Sequence, residues 1–90
     1  MKTDEKILER NFKALANKRR LAILKALKNR RRASVGLIAE DIRLSFKATS
    51  KHLNILYAAG IVEKEQESLT VYYNLSNKIL EPVRSALTLL

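Results

Sequence analysis

The chain has 90 residues and a formal charge of +9, with 18 Lys and Arg against 9 Asp and Glu, one His and no Cys. That length allows one domain with a modest core, and the missing cysteines exclude disulfides, thiolate catalysis and thiolate metal sites. The charged start Met1-Lys2-Thr3-Asp4-Glu5 leads into no apolar leader, and no long apolar span occurs, so the expectation is a cytoplasmic protein without membrane contact.

The first helix is expected to start near Thr3, a candidate N-cap, with Asp4 and Glu5 at the positive end of the helix dipole. Its apolar residues Ile7, Leu8, Phe12 and Leu15 recur at helical spacing. Asn17 reads as the N-cap of a second helix. There Leu21, Leu24 and Leu27 form the core stripe with Ile23 beside it, while Lys18, Arg19, Arg20, Lys25 and Lys28 stay in water. Arg30-Arg31-Arg32 then follow in a loop.

A short helix spans roughly Gly36 to Arg43, with Leu37, Ile38 and Ile42 apolar. Leu44-Ser45 form a tight turn. The Ser45 hydroxyl suits the N-cap of the next helix, which runs to about Ala59 and is closed by Gly60 in a left-handed conformation. Two β-type runs follow, Ile61 to Glu65 and Leu69 to Leu75, separated by Gln66-Glu67-Ser68 as in a hairpin. Val71, Tyr73 and Leu75 share one face; Thr70, Tyr72 and Asn74 share the other. Ser76 or Asn77 caps a final helix, whose regular part begins around Glu81 because Pro82 fits only a first turn.

The helix over residues 46–59 carries the functional signal. Thr49, Leu53 and Leu56 fall on one side, with His52 beside them. Lys47, Ser50, Lys51 and Asn54 fall together on another, spaced i, i+3, i+4, i+7. The two lysines suit phosphates or guanine acceptors. Ser50 and Asn54 are small hydrogen-bonding groups, and Ala48 is small enough to meet a thymine methyl. An amphipathic helix with a solvated basic face would show the same stripe. The charge distribution favours the nucleic-acid reading: residues 1–30 carry ten Lys and Arg against three acids, 31–60 five against two, and 61–90 three against four.

Catalysis is not expected. A single His offers no nucleophile–base pair, no glycine loop cradles phosphate, and Glu40-Asp41 read as surface neighbours. Glu63, Glu65 and Glu67 alternate onto one face of the first β-run; they read as a solvated edge strand that repels phosphate, not as a cation site. No metal and no cofactor are called for.

Several stretches at fixed spacing resemble the ArsR-type winged helix-turn-helix repressors. They are Leu15-Ala16-Asn17-Lys18-Arg19-Arg20-Leu21-Ala22-Ile23-Leu24, then Ile38-Ala39-Glu40, then Leu44-Ser45, Ser50-Lys51-His52-Leu53, Leu56 and Ala59-Gly60-Ile61-Val62, and finally Tyr72-Tyr73-Asn74-Leu75. The similarity covers about Phe12 to Leu75. It implies a mainly α winged helix-turn-helix: a three-helix core, a two-stranded β-hairpin wing, and flanking N- and C-terminal helices, all in one domain over 1–90.

The resemblance further implies a homodimer built by the terminal helices, about 3–15 and 78–90, with Ile7, Leu8, Phe12, Ile79, Leu80, Val83, Ala86, Leu87 and Leu90 in the interface. Its expected partner is double-stranded DNA, a palindromic operator read by the 46–59 helix in the major groove. The expected DNA contacts are Ser45, Lys47, Ala48, Ser50, Lys51, His52 and Asn54, with Arg20, Arg32 and Lys64 around them. Departures from the family pattern are Lys18 in place of proline, Arg43 in place of glycine, and an acidic wing where relatives carry Arg and Gly. Metal-sensing Cys pairs are missing and the last helix offers only Glu81, so the effector is left open. The alternative function is a winged-helix protein-interaction module or a nonspecific nucleic-acid binder.

Overall fold

The computed structural model describes residues 4–90. Its elements are α1 (Glu5–Leu15), α2 (Lys18–Arg30), β1 (Arg32–Ser34), α3 (Val35–Ile42), α4 (Phe46–Ala58), β2 (Val62–Glu67), β3 (Thr70–Leu75) and α5 (Glu81–Leu87). Thr3, the expected first N-cap, lies outside the described residues; Asp4 caps α1 by accepting from the Lys6 N–H.

Side-chain caps also set the starts of α2, α3 and α4. Asn17 accepts from the N–H groups of Arg19 and Arg20, Ser34 from Leu37, and Ser45 from Ala48. The ends of α3 and α4 share one geometry. A residue at positive φ, Arg43 at 55° and Gly60 at 74°, lets the next amide reach back five residues, Leu44 to the Ala39 carbonyl and Ile61 to Leu56. Glycine takes that backbone freely. Arg43 carries a Cβ there and costs on the order of 1 kcal/mol.

The core gathers Ile23, Leu24 and Leu27 of α2, Ile38 of α3, Leu53 and Leu56 of α4, and Ile61, Val62 and Val83. In α2 it is Ile23, at 0 % exposure, that is fully buried, while Leu21, expected in the stripe, is only half-buried. Three carbonyl-directed side chains fasten the terminal helices: Arg10 donates to Ala58, Arg20 to Ala14, and Lys28, expected in water, to Leu87.

The sheet corrects the sequence reading in two places. Arg32 is not in a loop. With Ala33 and Ser34 it forms β1, and the sheet is three-stranded and antiparallel in the order β1-β3-β2. The hairpin is also longer than expected: pairing continues from Val62↔Leu75 to Glu67↔Thr70, and only Ser68 and Leu69 turn, Ser68 at φ 58°. At the C-terminus neither Ser76 nor Asn77 caps a helix. Helix α5 starts at Glu81 without a side-chain cap, with Pro82 in its first turn.

Candidate nucleic-acid interface

Helix α3, the turn at Leu44-Ser45 and helix α4 form a helix-turn-helix. Thr49, Leu53 and Leu56 are fully buried and fix which way α4 faces. The opposite side carries Lys47, Lys51 and Asn54 exposed, with Ala48 and Ser50 half-buried. Among the described residues, no ion pair or side-chain hydrogen bond engages Lys47, Ser50, Lys51 or Asn54. Four groups with donors to spare therefore line one free face. Ser45, at the start of that face, accepts the Ala48 N–H at 3.1 Å.

The other expected contacts have partners inside the protein. Arg20 donates from Nε to the Ala14 carbonyl (2.6 Å), from Nη2 to the Lys13 carbonyl (3.1 Å), and sits with Nη1 3.3 Å from His52 Nδ1. A guanidinium only donates, so Nδ1 is the acceptor and the neutral imidazole carries its proton on Nε2. Burial, followed by the charges of Arg20 and Arg19, holds the His52 pKa below its ordinary value. Arg20 and His52 thus join the end of α1, the start of α2 and the middle of α4; both were expected on DNA.

Arg32 is likewise engaged. From β1 it lies over the Tyr72 ring of β3, 4.0 Å to the centroid, and its Nη2 reaches β2 at Glu67 Oε1 (2.6 Å) and Glu65 Oε1 (3.8 Å). Two of the three wing carboxylates pair with this one side chain, which offsets one of their two negative charges. The third, Glu63, accepts from the Ser76 hydroxyl and, at 3.5 Å, from Asn74. Lys64 is exposed but folded back, its Nζ 4.4 Å from the centre of the Tyr57 ring of α4. The wing contributes little free positive charge.

The terminal helices split the expected dimer residues into two groups. Val83 and Leu87 point into their own domain at 0 % and 8 % exposure, so they have almost no surface left for a partner. Ile7 and Phe12 are about half exposed, at 52 % and 49 %. Leu8, Ile79, Leu80, Ala86 and Leu90 are half-buried, and Leu89, not on the expected list, is 86 % exposed.

Three further exposed apolar residues lie near this free face of α4: Phe46, Tyr57 and Leu69. Phe46, seven residues before Leu53, shares that residue's face of the helix by spacing, yet as the first residue of α4 it is 63 % exposed.

Comparison with known proteins agrees with this geometry. The family model for bacterial regulatory proteins of the arsR family matches residues 17–64. The chain is 43% identical over 66 residues to the transcriptional activator HlyU of Vibrio cholerae, an alignment covering 73% of this chain and 60% of HlyU. The HlyU structure superposes with a TM-score of 0.81 over 99% of this chain and 92% of that chain, at 35% identity. The transcriptional repressor SdpR of Bacillus subtilis is 34% identical over 70 residues, 78% of this chain and 77% of SdpR. A homodimeric winged helix-turn-helix DNA-binding domain from Mycobacterium bovis superposes with a TM-score of 0.78, at 31% identity over 98% of this chain and 82% of that chain.

Proposed function

Because the chain belongs to the bacterial arsR family, DNA-binding transcription regulators and not enzymes, we propose that it binds a palindromic operator as a homodimer and represses transcription. The observation that carries this reading is the unpartnered face of α4. Lys47 and Lys51 meet phosphates or guanine acceptors; Ser50 and Asn54 meet base edges; Ala48 lets the helix approach closely. Ser45 and the free amides of the first turn of α4 hold a phosphate. Arg20 and His52 keep α4 at its angle to α1 and α2, and Arg32 shapes the wing; none of the three is needed as a contact.

The apolar surface on α1 and around α5 supports a dimer about a two-fold axis. Ile7, Leu8 and Phe12 meet Ile79, Leu80, Ala86, Leu89 and Leu90 of a second copy, which covers side chains that water otherwise solvates poorly. Two α4 helices then enter successive major grooves about one helical turn apart. Occupying such a site denies it to the transcription machinery, in the compartment where the chromosome lies.

The test is selection of binding sites from a random duplex pool at physiological salt. The expected result is one palindromic sequence preferred over random DNA by about a thousandfold or more. Equal affinity for all duplexes would sink the sequence-specific reading.

A further inference from the structure

A cleft of about 460 Å³ lies between the start of α3, helix α4 and strand β3. In a chain of charge +9, no Lys, Arg, Asp or Glu lines it. Its walls are Val35 and Val71, and the exposed Phe46 and Leu69 stand at its rim. Ser50 and Asn54, together with Ser34, Thr70 and Tyr73, supply the polar groups. An apolar cleft of a few hundred Å³ with a small number of hydrogen-bonding side chains is the usual form of a small-molecule site.

Gly36 is a second, independent sign. It is the second residue of α3 and lines the same cleft. Its φ is not positive, and a Cβ built on it would meet no atom within 4 Å. Neither backbone conformation nor tight packing calls for glycine there, and only proline forms helix less readily. What the missing side chain preserves is the open volume of the cleft.

We propose that this cleft binds a neutral, predominantly apolar small molecule with one or two hydrogen-bonding groups, and that its occupation excludes duplex DNA from α4. A charged ligand would lose hydration and find no counter-charge in the lining. The exclusion rests on the reading of α4 as the DNA-contacting face, because Ser50 and Asn54 belong to both sites. A ligand seated against them blocks the groove, so ligand and operator compete for one free protein.

The experiment uses the full chain and Nile red, a neutral dye whose fluorescence rises in apolar surroundings. The expected result is saturable binding that weakens at least tenfold in Gly36→Leu, which fills the cleft, and in Leu69→Asp, which charges its rim. Leu69 is 95 % exposed, so that variant folds even if Gly36→Leu does not. Ile55→Ser, at an exposed position of α4 outside the cleft, leaves binding unchanged. Dye binding that survives both cleft variants, or that is lost only in Ile55→Ser, overturns the site. Selected duplex DNA should displace the dye; dye and duplex bound together overturn the exclusion. Failure to bind any duplex overturns the reading of α4 as a DNA face, and the cleft variants still decide the site.

Discussion

Arg20 and His52 are 32 positions apart in the chain, yet Nη1 of one lies 3.3 Å from Nδ1 of the other. The same guanidinium also closes the carboxyl end of α1 through the Lys13 and Ala14 carbonyls. Arg20→Ala therefore takes a donor from three acceptors at once, of which the Lys13 carbonyl keeps the Ala16 N–H. The expected loss is about 1–3 kcal/mol of stability, a fall in thermal midpoint of roughly 4–8 °C per kcal/mol for a domain this size. The salt dependence of DNA binding should stay as it was. A smaller salt slope would mean that Arg20 meets phosphate after all.

His52 gives the fold a pH dependence of definite sign. Its folded pKa is depressed, mainly by burial, so the unfolded chain takes up the proton first. The contribution is fully present above the unfolded value of about 6.5 and is lost as pH falls below it, levelling off under the folded value. Thermal midpoints between about pH 5 and 7 should decline in the native chain and decline less in His52→Gln. Matching slopes would show that another group titrates. Asp41, held low by its hydrogen bond to Arg30, contributes only at more acid pH.

Lys51→Ala tests the reading face directly. If Lys51 meets a phosphate, affinity drops for every duplex and the slope of log K against log salt shrinks by about 1. If it meets a base, preference at one operator position blurs instead. Unchanged affinity in both Lys51→Ala and Lys47→Ala would remove α4 from the groove.

Thr49 is the one buried polar side chain in α4, and its Oγ1 has no hydrogen-bond partner among the described residues. Thr49→Val keeps the shape and nearly the same helix propensity while deleting an unsatisfied hydroxyl. Stability should rise by about 1 kcal/mol. A lower thermal midpoint would show that the hydroxyl is bonded in solution.

Phe12→Asp places a carboxylate on the proposed two-fold surface. Phe12 is half exposed, so the domain itself tolerates the change. Sedimentation at micromolar concentration should shift from dimer to monomer, and operator affinity should fall with it. A native chain that already sediments as a monomer would refute the dimer.

What the sequence disclosed was local. Asn17 and Ser45 cap helices within three residues of themselves, and Gly60 closes a turn within five, so their signals are short-range. The exposed polar face of α4 followed from periodicity alone. What it concealed was long-range. Three residues beginning with a run of arginines make no strand until Arg32 pairs with Asn74, 42 positions on. The same distance hid the partners of Arg20 and Arg32, which looked like free cations. The resemblance placed Val83 and Leu87 in a dimer interface; they pack into their own domain instead, a contact that spacing along the chain does not reveal.

The rung from Arg32 across Tyr72 to Glu65 and Glu67 makes the wing and the α2–α3 connection a single structural unit. A hairpin transplanted from a relative with a basic tip would arrive without the two carboxylates and leave Arg32 facing cations. Exchanging Arg32 along with the hairpin would restore compatibility. Chimeras between members of the family should therefore be weakened when the crossover falls between residue 32 and the hairpin, and not when it falls outside that stretch.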